Sequence, residues 1–129
     1  MLDPSQHTVA VIGASQNRRK FGNKCVRAYR HAGWKVYPIN PGAKEIEGLE
    51  AFPSLNVVPT TVERISIYLP PATTSALLPS LPRAVPIFFN PGSADDDVLA
   101  TARQLGLDAR PACSIVAIGM SPAQFPDSG

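Results

Sequence analysis

The stretch Thr8-Val9-Ala10-Val11-Ile12-Gly13-Ala14-Ser15, with residues 21–32 behind it, decides the fold. Its first five residues are uncharged and mostly β-branched, and read as a strand buried on both faces, as in a parallel sheet covered on each side. Gly13, Ala14 and Ser15 are small enough to let another group come close to the backbone. After the polar loop 16–20, helical stepping places Phe21, Gly22, Cys25, Val26, Ala28, Tyr29 and Ala32 on one arc. Lys20, Asn23, Lys24, Arg27, Arg30 and His31 fill the opposite arc, and Gly33 stops the helix. Residues 34–39 form a second strand, closed by Asn40-Pro41-Gly42. Strand, helix and strand in so short a space make a βαβ unit with a right-handed crossover.

The alternation continues outward from that unit. Residues 43–62, with Phe52-Pro53-Ser54-Leu55 as a short turn, form an abbreviated crossover to a third strand at 64–69. Pro70-Pro71 ends that strand, and Pro71 suits the first position of a helix over 72–78. A fourth strand at 85–89 ends in Asn90-Pro91-Gly92, the tripeptide that closed the second. Ser93 is expected to cap a helix reaching Leu105, with Asp95, Asp96 and Asp97 in its first turn as the helix dipole favours. Residues 107–109 begin a fifth strand, and 113–118 are a last apolar segment. The pattern predicts a three-layer α/β sandwich around a five-stranded, mostly parallel sheet. Residues 1–118 are expected to form this domain and 119–129 a flexible C-terminal tail.

Composition agrees with one globular domain: 129 residues, 44% hydrophobic and 17% charged. The apolar runs 9–14 and 114–120 fall far short of the roughly 20 residues that cross a membrane. The N-terminus shows no basic and apolar leader, and Cys25 and Cys113 cannot make a disulfide framework, so cytoplasm is the default location. The net charge of +2 hides an asymmetry, since Arg18, Arg19, Lys20, Lys24, Arg27, Arg30 and Lys35 stand within 18–35 without an acid among them. Such a patch suits an anionic partner.

Pro38, Pro41, Pro70, Pro71 and Pro91 all fall at the carboxyl ends of predicted strands. In such sheets the ligand crevice lies along that edge, where strand order reverses. There, the turn from Gly13-Ala14-Ser15 to Phe21-Gly22 leads into a helix N-terminus, whose free N–H groups suit a phosphate. The dinucleotide fingerprint Gly-x-Gly-x-x-Gly is not met, because Ser15 stands at its second position. The second strand ends in Ile39-Asn40-Pro41 rather than in the acid that would bind a ribose. NAD is thereby disfavoured, while NADP remains through Arg18, Arg19 or Lys20 and a 2′-phosphate.

These blocks, with Gly33-Trp34-Lys35-Val36-Tyr37-Pro38-Ile39-Asn40-Pro41, resemble the small stand-alone CoA-binding proteins of the Rossmann type. That family is related to the nucleotide-binding domain of the succinyl-CoA synthetase α subunit. The resemblance runs on through Asn90-Pro91-Gly92 to Arg110 and Cys113, and so covers nearly the whole chain. It implies coenzyme A, or an acyl-CoA, as a nucleotide ligand seated across the carboxyl edge. Gly13, Ala14 and Ser15 would approach the pyrophosphate, and Arg18 or Lys20 would neutralise phosphates. Tyr37, Pro38 and Asn40 would border the adenine, and Pro70, Pro71, Asn90, Pro91 and Gly92 the pantetheine arm. Cys113 would lie near the thiol, where a mixed disulfide with CoA competes with the role of a buried apolar residue; Arg110 is the group that could activate it.

Catalysis is not expected. Neither His7 nor His31 belongs to the predicted site edge, no carboxylate pair is available there, and two histidines and two cysteines do not have metal-ligand spacing. Binding of CoA without catalysis is the leading reading. The enzyme alternatives are an NADP-dependent oxidoreductase or the accessory subunit of an acyl-CoA ligase. Lys24, Arg27 and Arg30 read as a solvated helix face, and nucleic acid as a partner is disfavoured by the small net charge. No membrane or metal partner is expected; a homodimer or an enzyme partner subunit remains open.

Overall fold

Alternate side chains of β1 (Thr8–Ile12) serve opposite layers, and everything in it after Thr8 is buried. Val9 and Val11 pack with Cys25, Val26, Ala28 and Tyr29 of helix α1 (Phe21–His31). Ala10 and Ile12 face the other core, which holds Leu78 and, from a later helix, Val98 and Ala102. The computed structural model describes residues 7–127. The leader-free reading of residues 1–6 and the last two residues of the expected tail lie outside that range.

After β2 (Lys35–Ile39) the crossover carries a hairpin, β3 (Glu45–Ile46) and β4 (Leu49–Glu50), turned by Glu47 and Gly48 at φ 51° and 79°. Its Ile46 is fully buried on the α1 side. Then follow β5 (Arg64–Ile67), α2 (Pro71–Leu77) with Pro71 at its first position, β6 (Pro86–Phe89), α3 (Asp96–Gln104) and β7 (Asp108–Arg110). The sheet runs β2-β1-β5-β6-β7 with every neighbouring pair parallel. Among the main strands in chain order this is 2-1-3-4-5, so the order reverses between β1 and β5, and the crevice belongs there. Among the described residues no helix is long and apolar enough to cross a membrane.

Several expectations need correction. The cap of α3 is Asp95, whose carboxylate accepts from the Val98 N–H; Ser93 is buried and donates to the Asn90 carbonyl instead. The arcs of α1 are less clean than its periodicity suggests. Phe21 is 57% exposed, because it heads the helix beside an open cleft, while Asn23 of the polar arc is fully buried. Lys24 and Arg27 are not a solvated face either. The chain returns over them at its C-terminal end: Arg27 donates to the Phe125 carbonyl, and Lys24 Nζ lies 2.8 Å from Asp127 Oδ1. Arg30 donates to the Glu47 carbonyl of the hairpin. Within the span expected to be a loose tail, Phe125 is buried with Ile115 in the α1-side core.

A candidate nucleotide site at the carboxyl edge

Two glycines build the floor of the site. Gly13 leaves β1 at φ +89°, and a Cβ there would lie 2.3 Å from the Tyr68 carbonyl oxygen. A Cβ on Gly22 would lie 2.2 Å from the Gly13 carbonyl oxygen. The end of β1, the end of β5 and the start of α1 therefore meet at backbone contact. The N-cap of α1 is Lys20 with no side-chain bond, and its first turn holds no acid. The Asn23 and Lys24 N–H groups donate to the Lys20 carbonyl, and those of Phe21 and Gly22 come too early for an acceptor within the helix, so its positive end is open to an anion.

Above this floor lies a cleft of about 970 Å³. Gly13, Ala14, Ser15, Lys20, Phe21 and Gly22 form one wall. Asn40 contributes from just after β2, Pro70 and Pro71 from the turn leading from β5 into α2, and Pro91 and Gly92 from the turn after β6. Leu69, at the predicted strand end, belongs to an apolar far wall whose other members, Pro53 and Leu55 of the crossover and Ala76 and Leu77 of α2, carried no site signal in the sequence. Ala76 belongs to a helix whose only buried residue is Thr74, so its open face was hidden in an ordinary apolar pattern.

Five of the expected residues do not line the cleft. Tyr37 is buried and packs 5.9 Å from the Phe52 ring, and Pro38 lies inside β2. Arg18 lies against Glu47, Nε to Oε2 3.3 Å, on the hairpin side of the loop. Asn90 is turned inward: its amide donates to the Ser66 hydroxyl and the Ile67 carbonyl, and its oxygen accepts from the Ser114 N–H. Asn40 plays the corresponding part at the cleft, donating to the Ala14 carbonyl and accepting from the Gly42 N–H. Cys113 is half-buried against the α1-side core. Arg110, offered as its activator, is held by both oxygens of Asp108.

Beneath the cleft sits a buried polar group that the sequence did not single out. Ser66 and Ser114 hydroxyls are 2.6 Å apart, and the Cys25 thiol lies 3.5 Å from each. Burial pushes the Cys25 thiol pKa up, outweighing those hydroxyls. Burial does the same for Tyr68, whose ring lines the cleft but whose buried hydroxyl has no hydrogen-bond partner. Of the residues that line the cleft, only Lys20 carries a formal charge. Among the described residues no cluster of three or more His, Cys, Asp or Glu comes together to hold a metal.

A parallel sheet with a glycine-floored, uncapped helix N-terminus at its switch point is a Rossmann-like arrangement, and that helix end can receive an anion. Residues 7–119 match the model of the CoA binding domain, and the chain belongs to that family. It is 39% identical over 62 residues to the ADP-forming acetate–CoA ligase I of Archaeoglobus fulgidus, which covers 48% of the chain and 9% of that enzyme. It is 35% identical over 63 residues to the α subunit of ADP-forming acetate–CoA ligase II of Pyrococcus furiosus, or 48% of the chain and 14% of the subunit. The chain thus spans a small fraction of these curated relatives. A solved structure, a conserved hypothetical protein from Pyrococcus furiosus, superposes with TM-score 0.77 at 26% identity, covering 86% of this chain and 98% of that one.

Proposed function

We propose that the chain binds coenzyme A or an acyl-CoA across the carboxyl edge of its sheet, without catalysing a reaction on it. The observation that carries this reading is the uncapped, acid-free start of α1, which opens onto the cleft over a floor of backbone contacts among Gly13, Gly22 and Tyr68. Lys20 supplies charge to the phosphates. The apolar wall of Leu55, Leu69, Ala76 and Leu77 suits the long uncharged parts of the ligand. The lining chemistry supports binding over catalysis, because a lone lysine and a tyrosine hydroxyl turned away into the core make no acid–base pair. Kinship to acetate–CoA ligase chains supports a second reading in the same class, that of an accessory module presenting CoA to a partner that carries the reacting groups. A cytoplasmic location fits either.

Calorimetric titration with CoA, dephospho-CoA, NADP and NAD in parallel tests the proposal. CoA is expected to bind and the two nicotinamide nucleotides to be inert. NADP binding with CoA inert would assign the site to the oxidoreductase alternative, and heat from none of the four would remove the CoA reading.

A further inference from the structure

Seven cations stand in 18–35, but few of them are available to a ligand. Arg27 Nε donates to Asn23 Oδ1 and its other nitrogen reaches the Arg18 and Phe125 carbonyls. Arg30 is taken by the Glu47 carbonyl, and Lys24 by Asp127. Lys35 begins β2, at the amino edge of the sheet and so away from the cleft. Arg18, Arg19 and Lys20 remain; Arg19 and Lys20 are exposed, and Arg18 stands three residues after Ser15 and two before Lys20, both of which line the cleft.

Arg18 is held in an unusual way. Its Nε is 3.3 Å from Glu47 Oε2, yet that buried nitrogen makes no hydrogen bond of proper geometry. The well-formed bond to the same oxygen comes from the fully buried Asn23, 3.0 Å away, whose amide also donates to the Ser15 carbonyl on the cleft wall. Glu47 itself is the one non-glycine residue with positive φ among the described residues, at φ 51° in the hairpin turn. A long acidic side chain is a poor choice for a turn position that favours Asn or Gly, so a neutral residue would serve the turn better. Its carboxylate therefore faces Arg18 and the Asn23 amide at a cost to the backbone.

We propose that Glu47 is a resident counter-anion of the 16–20 loop, competing with a ligand phosphate for the Arg18 guanidinium and thereby setting the affinity and salt dependence of the site. A phosphate offers Arg18 the two parallel hydrogen bonds that Glu47 does not give it. The inference rests on the reading of the cleft as a phosphate-bearing nucleotide site.

The test titrates the wild type, Glu47→Gln, Glu47→Asn, Arg18→Ala and the double variant Glu47→Gln/Arg18→Ala with CoA and with inorganic pyrophosphate. Removing the charge is expected to tighten binding about two- to fivefold, the effect of one partly exposed ion pair. The gain should disappear in the Arg18→Ala background. Glu47→Asn keeps the turn and must agree with Glu47→Gln, which separates loss of charge from damage to the hairpin. Unchanged or weaker binding by both neutral variants, or a gain that survives Arg18→Ala, overturns the proposal. If pyrophosphate binds and CoA does not, the CoA reading falls while the comparison is still read with pyrophosphate. If CoA binds and the neutral variants do not differ from wild type, the CoA reading stands and this proposal falls; if neither ligand binds, both fall.

Discussion

Gly13 and Gly22 are held to glycine by backbone atoms that cannot move aside. Gly13→Ala would add a Cβ 2.3 Å from the Tyr68 carbonyl oxygen in a left-handed conformation, and Gly22→Ala one 2.2 Å from the Gly13 carbonyl oxygen. Each is expected to cost about 2–4 kcal/mol in denaturant unfolding. Gly42→Ala, with its nearest neighbour at 3.5 Å, should be nearly silent. Cys25 gives a pH-dependent counterpart. Its thiol pKa is raised by burial, so the folded state keeps a proton that the unfolded state releases. The resulting stability is fully present below the ordinary thiol pKa of about 8.5 and is lost as pH rises beyond it. The stability of wild type relative to Cys25→Ala should therefore shrink between pH 8 and 10 (roughly the window about that pKa), as read from unfolding midpoints at each pH. The close-packed glycines were legible in the sequence because small side chains announce close approach. The hydroxyl neighbours of Cys25 come from residues 66 and 114, and no local pattern joins them.

At the scale of elements, α1 and α3 begin in opposite ways. The start of α3 is closed by Asp95 and followed by Asp96 and Asp97, whereas α1 starts at Lys20 with neither cap nor acid. A helix whose end is satisfied internally gains stability, and one left open keeps its N–H groups available to an anion. Asp95→Ala is expected to lower stability by about 1 kcal/mol while Asp95→Asn restores most of it, measured by thermal unfolding. The acids of this turn were legible, but the cap was misplaced by two residues. Ser93 is an equally good capping type, and it was drawn instead to the buried Asn90 carbonyl. The same reason separates the two Asn-Pro-Gly copies. Both asparagines tie neighbouring loops together, but Asn40 does so at the cleft and Asn90 under the sheet edge, where Ser66 and Ser114 converge.

For the whole molecule, the α1 layer is completed from the far end of the chain. Ile115 and Phe125 join its core, and the Lys24–Asp127 pair and the Arg27 bond to the Phe125 carbonyl fasten the segment down. Phe125→Ala should cost about 2–3 kcal/mol, less than for a deep core aromatic, and lower the unfolding midpoint without changing the sheet. A chain ending at residue 120 should show at least as large a loss. Alternating apolar runs, helical arcs, glycines and strand-ending prolines were enough to establish by themselves a parallel three-layer sheet, and with it the carboxyl edge at which the cleft opens. Those signals arise from the sterics and solvation of residues adjacent in the chain. Only the tertiary structure decided which cations face the cleft, which asparagine is buried, where α3 is capped and that Phe125 belongs to the core. Each of those outcomes depends on the meeting of groups tens of residues apart, such as Arg18 with Glu47 or Lys24 with Asp127, and a buried polar group takes whichever partner the fold brings within reach.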